Sequence, residues 1–400
     1  MNNINESDVL IIGGGICGTS TAFHLAQLGE RVTVLERGEL ASESSGVNAG
    51  GLGGYGWGNN PDLQAYLTAG SFEIFKSLQL DMGYDIEFHA PGGLQSIHTG
   101  DQWDYTRDQV CKSQSNGYSV ELMTTREARA VEPEVSDSLA GFMFLPKRGR
   151  ANPGKSTLAF GRAASELKAV IKTNHEVQDI SQQPDQSWLV KTNHGDFISG
   201  IVALATGAWT QPLGERLGID IPIIPIRGQM WATQPVPPSI FHLSGSIESH
   251  FDWSRQITKQ KHPPELTHIG TKRITRHLYG GQTRNGEIIF GGDRQMVGYS
   301  YVPEAEGITI NRIHASEVFP FVSKLSINRT WAGLMPFSID GKPIIGQIPQ
   351  FKNLFIVTGL GSSGFGRGPM SGKLLADFIH TGHPHPVLTD SDPARCVFSK

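Results

Sequence analysis

Short apolar runs that alternate with glycine-rich stretches are the main pattern at the start of this chain. Residues 9–12 and 32–35 are four-residue runs of the length expected for buried parallel strands. We interpret the segment between them as a crossing helix that ends at Gly29, because glycine commonly follows the last turn of a helix. The pattern therefore predicts a strand–helix–strand unit over residues 8–37.

The same alternation predicts the elements that follow. Asn60-Pro61 and Asn152-Pro153 are typical of helix starts, because proline fits the first helical position. Prolines and histidines are frequent between residues 236 and 264, which predicts an irregular excursion or lid. Further strands are predicted at residues 188–192, 201–205, 221–226, 230–232, 287–290 and 354–357, and a last helix at about 369–379.

Segments typical of nucleotide binding occur at both ends of the chain and in its middle, so two domains in series do not explain their order. We predict a discontinuous cofactor domain with a β-rich substrate domain inserted twice. The predicted cofactor domain covers residues 1–80, 148–220 and 330–385, the substrate domain covers 81–147 and 221–329, and 386–400 form a C-terminal tail.

Composition narrows the class of protein. A formal net charge of −4 with no long basic run argues against a nucleic-acid partner. Cys17, Cys111 and Cys396 are too few for a disulfide framework and indicate a reducing cytoplasm. We expect no metal site, since there is no C-x-x-C motif and no histidine cluster with metal-ligand spacing along the sequence. No signal peptide or membrane span is expected either.

Residues 13–18 form a G-x-G-x-x-G motif directly after the first predicted strand, and Glu36 ends the second strand. This is the dinucleotide fingerprint in its required context, where backbone N–H groups at the helix start bind the pyrophosphate. A carboxylate at position 36 is suited to ribose hydroxyls and repels a 2′-phosphate. Residues 51–56 and 359–364 repeat the spacing but lack a preceding strand or a following acidic strand, so we interpret them as ordinary glycine loops.

Seven stretches in a fixed order make the chain resemble the D-amino acid oxidase-like FAD-dependent oxidoreductases, the group that holds glycine oxidase, sarcosine oxidases and amino-acid dehydrogenases. They span roughly residues 7 to 380: the fingerprint with 36–38, then 44–51, 152–153, 205–209, 225–229, 279–292, and 333–346 with 364–369. The resemblance implies an α/β and α+β fold with a glutathione-reductase-like Rossmann FAD domain and an inserted, mainly antiparallel β substrate domain.

The resemblance also implies an extended FAD. Its expected binding residues are Gly13, Gly15, Gly18, Glu36, Arg37, Ser44, Ser45, Asn48, Ala49, Gly50, Gly51, Val177, Gly207, Gly361, Ser362, Ser363 and Gly364. The start of the last helix would face the flavin ring, where its free N–H groups stabilise the negative charge of the reduced ring. Residues 40–59 contain no histidine and residues 330–345 no cysteine, so we expect FAD to be bound non-covalently.

The candidate catalytic residues are Tyr279, Arg227, Arg367 and His277. Tyr279 occupies the place of the active-site tyrosine of glycine oxidase, and His277 shares its strand face. Arg227 and Arg367 are the candidate carboxylate anchors, because guanidinium pairs with carboxylate through two hydrogen bonds. Loop residues considered for closing the pocket are Tyr55, Trp57 and His250.

Three usual carboxylate anchors of the family are absent: this chain has Met335, Gly366 and Ser362 at those positions. A carboxylate must therefore be held by another residue, or the substrate is not a small plain amino acid. Residues 287–290 lack the oxygen-activating lysine of sarcosine oxidases, which favours a dehydrogenase with another electron acceptor.

The function that follows is oxidation of the C–N bond of an amino acid or N-substituted amino acid by hydride transfer to flavin N5, giving an imine that hydrolyses. One alternative is a 2-hydroxy acid dehydrogenase, which needs a base such as His277 or His250 near the flavin. Another is a flavoprotein subunit of a multi-subunit dehydrogenase. Expected partners are a small-molecule amine or amino acid, oxygen or another acceptor, and partner subunits.

Overall fold

The computed structural model describes residues 5–256 and 261–400. The strands of the described residues are β1 Asn5–Ile12, β2 Val32–Leu35, β3 Gly51–Gly54, β4 Gly93–Ile97, β5 Glu121–Met123, β6 Gly141–Leu145, β7 Lys147–Arg150, β8 Val170–Lys172, β9 Val177–Gln182, β10 Trp188–Thr192, β11 Gly195–Leu204, β12 Ile219–Asp220, β13 Ile223–Thr233, β14 Leu243–Ser246, β15 His268–Ile269, β16 Lys272–Arg273, β17 Tyr279–Gln282, β18 Ile288–Gly291, β19 Ile327–Ser338, β20 Ile344–Gln347, β21 Leu354–Thr358 and β22 Phe398–Ser399. The α-helices are α1 Ile16–Gln27, α2 Ser44–Val47, α3 Leu63–Leu80, α4 Gly100–Ser115, α5 Thr125–Val131, α6 Pro153–Glu166, α7 Thr210–Arg216, α8 Glu248–Ser254, α9 Ala305–Val318 and α10 Gly364–Thr381.

The first large sheet is built from three separate parts of the chain. Its order is β20-β21-β11-β1-β2-β8, in which β1 lies parallel to β2 and β11, and the β9–β10 hairpin extends from β11. The four residues of β2 and most of β1 are buried, because helices cover the sheet on the side of α1. Strands that are distant in sequence thus meet around the fingerprint.

Helix α10 packs closely on α1 because it presents glycines to α1. A Cβ on Gly372 would lie 2.8 Å from the backbone nitrogen of Thr21, and one on Gly368 would lie 2.7 Å from the Ile16 side chain. Ser20 donates a hydrogen bond to the carbonyl of Pro369, which lies within α10. Helices α1 and α10, which are more than 300 residues apart in sequence, therefore lie side by side against the sheet.

The second large sheet has the order β19-β13-β18-β17-β14-β4-β6-β5 and is antiparallel except for the β14–β4 pair. The predicted fold class is confirmed: a Rossmann-type sheet with parallel central strands lies beside a mainly antiparallel second sheet. Strands β9, β10 and β20 of the first sheet pair antiparallel with their neighbours. The predicted boundary at residue 330 falls inside β19, which pairs with β13 over its whole length. This pairing places all of β19 with the second sheet.

Several predicted elements differ in detail. Helix α3 starts two residues after Pro61, because the Asp62 side chain accepts from the backbone N–H of Ala65. Helix α10 begins five residues before Pro369, which the helix accommodates in its interior. Helix α6 starts as predicted, with Asn152 as its cap.

The predicted excursion at residues 236–264 contains β14 and α8. Its residues 257–260, like residues 1–4 of the predicted first segment, lie outside the described residues. None of the described helices combines the length and the apolar character that a membrane crossing requires.

Candidate active site

A cavity of about 1030 Å³ lies between the carboxyl ends of the parallel strands and the face of the second sheet. Its wall includes the first glycine turn at one end and residues of β4, β6 and β17 at the other. Ligand pockets usually occupy roughly 300–1,000 Å³. This cavity therefore has room for an extended dinucleotide together with a small substrate.

The glycine turn has the geometry that the fingerprint predicts. Gly13 has φ +113°, in the region that favours glycine, and a Cβ there would overlap the Ala205 carbonyl. A Cβ on Gly18 would overlap the carbonyl of Gly13, so glycine lets α1 approach the strand. Gly15 precedes α1 and provides no side-chain cap. The start of α1 is thus exposed to the cavity except at Ile16, whose N–H donates to Ser45 Oγ at 2.9 Å.

Glu36 is buried at the end of β2 and lines the cavity. Its two carboxylate oxygens accept backbone N–H bonds from Gly14 at 2.6 Å and from Gly38 at 2.8 Å. The carboxylate therefore fixes the glycine turn to the second strand. Its binding of ribose stays a prediction.

Arg37 forms a cluster that includes an aromatic residue missed at the sequence level. Its guanidinium carbon lies 3.9 Å from the centroid of the Trp209 ring, and Nη2 is 2.5 Å from Glu43. The Tyr301 ring stacks on the Trp209 ring, and the Tyr301 hydroxyl donates a hydrogen bond to Glu43 at 2.6 Å. Trp209 belongs to the 205–209 stretch that carried the resemblance, and a flat aromatic side chain next to a dinucleotide site was the available signal.

Most of the predicted cofactor residues come together on the cavity wall. Those that line it are Gly13, Gly15, Glu36, Arg37, Ser44, Ser45, Asn48, Gly51, Val177, Gly207, Gly361, Ser362, Ser363 and Gly364. Gly18, Ala49 and Gly50 lie behind the wall. The Asn48 side chain holds α2 and the residues that follow it together. It donates to the Ser44 carbonyl at 2.9 Å and accepts from the Gly50 N–H at 2.7 Å.

The start of α10 also faces the cavity. A short 3-10 turn, Gly361–Ser363, leads into the helix, and neither element has a side-chain cap. Uncapped N–H groups at a helix start carry partial positive charge. They suit the edge of a flavin ring that becomes negative on reduction.

Tyr279 connects the second sheet to the loop after α2. It lines the cavity from β17, and its hydroxyl oxygen accepts from the Gly51 N–H at 2.5 Å. Burial is the main cause of its raised pKa, so the hydroxyl keeps its proton near neutral pH. That proton is free to be donated into the cavity.

His277 lies on the cavity wall, but both of its ring nitrogens are engaged. Nε2 is 3.2 Å from Arg294 Nη2, which can only donate, so Nε2 accepts and Nδ1 carries the hydrogen toward Ser249 Oγ at 2.7 Å. Burial, followed by the charge of Arg294, holds its pKa well below the usual range. Nearby His250 lies in α8, not in a loop, and burial lowers its pKa to about 4.

Besides Arg37 and Arg216, three arginines line the cavity: Arg148, Arg294 and Arg367. Arg294 is paired with Glu265 at 3.0 Å. Arg367 donates to Thr68 Oγ1 at 3.1 Å and has no carboxylate of the described residues within 4 Å. Arg148, on β7, makes no side-chain hydrogen bond to any residue in the described ranges, and its Nε is buried without a partner. Burial lowers the pKa of both Arg148 and Arg367.

Arg227 is not brought to this site, which corrects its assignment as a carboxylate anchor. It is 3% exposed and does not line the cavity. Its guanidinium donates to the Val302 carbonyl at 2.6 Å and to Gln295 and Glu304 at 2.5 Å each. All of these contacts hold the segment before α9 against β13, so Arg227 has a structural role.

Tyr55 lines the cavity and is 41% exposed. Trp57 does not line it and instead packs edge-on against Tyr66, with ring centroids 5.2 Å apart.

Residues 8–378 match the family model described as FAD dependent oxidoreductase. The chain belongs to this family. Glycine oxidase of Geobacillus kaustophilus (strain HTA426) is 26% identical over 382 residues, which are 93% of this chain and 92% of the relative. Sarcosine oxidase subunit beta of Arthrobacter sp is 28% identical over 391 residues, 95% and 88% of the two chains. The crystal structure of L-proline dehydrogenase from P. horikoshii matches with TM-score 0.82 at 27% identity, covering 98% of each chain.

Family membership confirms the resemblance and the FAD cofactor. The flavoprotein's own residues fit that cofactor: glycines at the positions where a Cβ would fill the turn, uncapped helix starts at α1 and α10, and a cavity of dinucleotide size. Arg148 is the main site residue that sequence reasoning missed. It follows the exposed Lys147 in a short basic run, and nothing in the sequence shows that β7 pairs with β3 and directs this residue inward.

Proposed function

We propose that this flavoprotein oxidises the C–N bond of an amino acid or N-substituted amino acid. The names of its relatives, glycine oxidase and sarcosine oxidase subunit beta, support this substrate class. The observation that carries the proposal is the pair of guanidinium groups, Arg148 and Arg367, on the cavity wall without a carboxylate partner in the described chain.

Unpaired buried guanidinium groups favour an anionic ligand. An arginine stays charged in a protein, and a charge removed from water is costly unless a counter-charge and hydrogen bonds replace the water. Arg294 already has Glu265, whereas Arg148 and Arg367 keep most of their donors free. A substrate carboxylate satisfies these donors in the absence of the family's usual anchors.

The same positive charges prepare the amine. When bound, FAD would supply a hydride acceptor for the carbon that bears the nitrogen, and water would hydrolyse the resulting imine to a carbonyl compound and ammonia or an amine. The nitrogen must be unprotonated for the hydride to leave. Nearby cations lower the pKa of an amine, so Arg148, Arg294 and Arg367 favour its neutral form. Tyr279 is placed to donate a hydrogen bond to substrate from its free O–H.

No dedicated base is needed for an amine substrate. A hydroxy acid requires a base for its O–H proton. His277 is unsuited to that role because Nε2 already accepts from Arg294, which leaves His250 as the candidate base. We therefore favour the amine substrate over the 2-hydroxy acid.

The remaining parts of the proposal concern the surroundings of the enzyme. The absence of a lysine at residues 287–290 supports an electron acceptor other than oxygen. One relative is named as a subunit, which supports partner subunits here. The cysteine content supports a cytoplasmic location. Oxygen consumption during turnover tests the electron acceptor. The size of the complex isolated after expression from the native promoter tests for partner subunits.

An anaerobic screen of the FAD-loaded protein tests the substrate class. Amino acids, N-alkyl amino acids and 2-hydroxy acids are added separately while the visible flavin absorbance is followed. We expect fast bleaching with an amino acid or an N-alkyl amino acid and much slower bleaching with its carboxamide. Bleaching only by 2-hydroxy acids would replace the proposal with the dehydrogenase alternative. No bleaching by any compound, together with co-purifying subunits, would favour the non-catalytic subunit.

A further inference from the structure

Three metal-ligating side chains meet outside the cavity, on the second sheet. His98 directly follows β4, while His314 and Glu317 lie on α9 three residues apart, a spacing that places them on one helix face. One ligand atom from each residue lies within 4.8 Å of the other two. His98 lies more than 200 positions before the other two residues in the sequence, so only folding brings it to them.

The hydrogen bonds of His98 allow its Nδ1 to face a carboxylate as a bare lone pair. Ser96 Oγ has one hydrogen and two acceptors within reach, the Gly245 carbonyl at 3.2 Å and His98 Nε2 at 3.1 Å. When Ser96 donates to the carbonyl, Nε2 carries the imidazole hydrogen and Nδ1 is free to bind a metal. Nδ1 lies 3.8 Å from Glu317 Oε2, which is longer than a hydrogen bond.

His314 and Glu317 are also incompletely satisfied. His314 is 0% exposed, and neither of its ring nitrogens has a hydrogen-bond partner among the described residues; the same holds for Glu317 Oε2. The other oxygen of Glu317 accepts from Arg276 at 3.0 Å. Neutral imidazole is the form that binds metals.

We propose that His98, His314 and Glu317 bind a divalent transition-metal ion of the zinc class. Two imidazole nitrogens and one carboxylate oxygen are the donor set of many zinc sites. Tetrahedral zinc with bonds of about 2.0–2.1 Å places its ligand atoms roughly 3.4 Å apart. The observed spread of 4.8 Å closes to this value if the side chains move by about 1 Å around the ion.

The groups around these ligands complete the site. Arg276 binds Glu248 through two hydrogen bonds of 2.8 Å, and Glu248 Oε2 lies 3.5 Å from His314 Nε2. Two carboxylates and one guanidinium leave one net negative charge to attract the cation. Arg276 and Ser96 orient the ligands from behind, as second partners commonly do at metal sites. The ion would join β4 to α9 and, through Arg276, to the segment that leads into β17.

Metal analysis of the full-length FAD-loaded protein tests this proposal. The protein is stripped with chelator, titrated with Zn²⁺ or Co²⁺, and assayed for bound metal, visible cobalt absorption and melting temperature. We expect about one zinc per chain, cobalt bands that zinc abolishes, and a melting temperature that rises with zinc concentration. His314→Gln and Glu317→Gln should each weaken binding by roughly 10- to 100-fold or more.

Matched controls separate this site from chance binding. Glu306→Gln on the same helix and His383→Gln are exposed changes that should retain the wild-type zinc affinity. Retained FAD shows that each variant is folded. If His314→Gln loses FAD, the zinc affinity of Glu317→Gln and the cobalt spectrum of the wild-type protein decide whether the metal site exists. The proposal is overturned if the wild-type protein binds no stoichiometric zinc or cobalt. Equal binding by Glu317→Gln and wild type would also overturn it.

Discussion

Replacing Arg148 by methionine should lower activity without lowering stability. The Arg148 guanidinium makes no side-chain hydrogen bond within the described chain, so its removal breaks no native hydrogen bond or ion pair. Its stem lies against Gly93, where a Cβ would come within 2.7 Å of Arg148 Cδ, and methionine keeps that stem. Removing an unpaired charge that is half-buried on the cavity wall relieves part of its desolvation in the substrate-free protein. We therefore expect a melting temperature equal to or above that of wild type.

The expected loss appears only when a carboxylate is bound. Truncating one partner of a buried, hydrogen-bonded charge pair costs about 2–5 kcal/mol. At 1.4 kcal/mol per factor of ten, this corresponds to a decrease in kcat/KM of roughly 30-fold to 4,000-fold. The guanidinium and the carboxylate remain paired throughout the reaction, so most of the loss should appear in KM.

The assay compares two enzymes on two substrates. Wild type and Arg148→Met are measured with the acid identified in the anaerobic screen and with its carboxamide, which has no negative charge. Arg148→Met should lose activity on the acid and little on the carboxamide, and the difference isolates the guanidinium–carboxylate interaction. Arg227→Met is the contrasting variant: it breaks the contacts to Gln295 and Glu304, and should destabilise folding while kcat/KM per folded molecule stays unchanged.

Two results would refute this reasoning. An equal loss on acid and carboxamide would show that Arg148 acts through the shape of the site and not through charge. Unchanged kinetics on the acid would show that the carboxylate is bound elsewhere, and Arg367 would be the next residue to test.

The remaining predictions concern the tyrosine, the histidines and the cofactor. Tyr279→Phe leaves the Gly51 N–H without its acceptor at a cost of about 1–3 kcal/mol; FAD affinity measured by fluorescence quenching should fall, and an unchanged affinity would contradict the assigned contact. The pKa values of His250 and His277 are lowered by burial, so below about pH 6.5 the unfolded chain takes up protons that the folded chain does not. Stability should therefore decrease as the pH falls from about 6.5 toward 4, by up to about 1.4 kcal/mol per pH unit for each histidine; melting temperatures that stay constant over this range would argue against it. Acid precipitation should release all of the FAD into the supernatant, and flavin that stays with the protein pellet would show a covalent bond.

The cofactor half of the site was predictable because local backbone chemistry defines it. The glycines at 13–18 and the carboxylate of Glu36 act through main-chain geometry that a sequence motif records directly. The start of α10 was misplaced by five residues, because helix-start rules favour Pro369 at the first turn whereas tertiary packing extends the helix through it.

The substrate half was less predictable because it depends on long-range pairing. Arg227 and Arg148 are both arginines in strands, and only the pairing of β7 with β3 and of β13 with β19 shows which of them faces the cavity. The His98–His314–Glu317 cluster has the same origin, since His98 lies more than 200 positions before the other two and no sequence spacing links it to them. Sequence motifs therefore identify sites built from neighbouring residues, whereas sites built from distant residues depend on how the strands pair.

The position of β21 and α10 beside the fingerprint has a consequence for biosynthesis. A ribosome releases the phosphate-binding turn first, but β11, the neighbour of β1, receives its own outer strand only when residues 354–358 emerge. The start of α10, which lines the cavity, follows later still. The wall of the cavity is therefore completed only near the end of synthesis, and a chain released before residue 364 lacks the part of that wall that α10 provides.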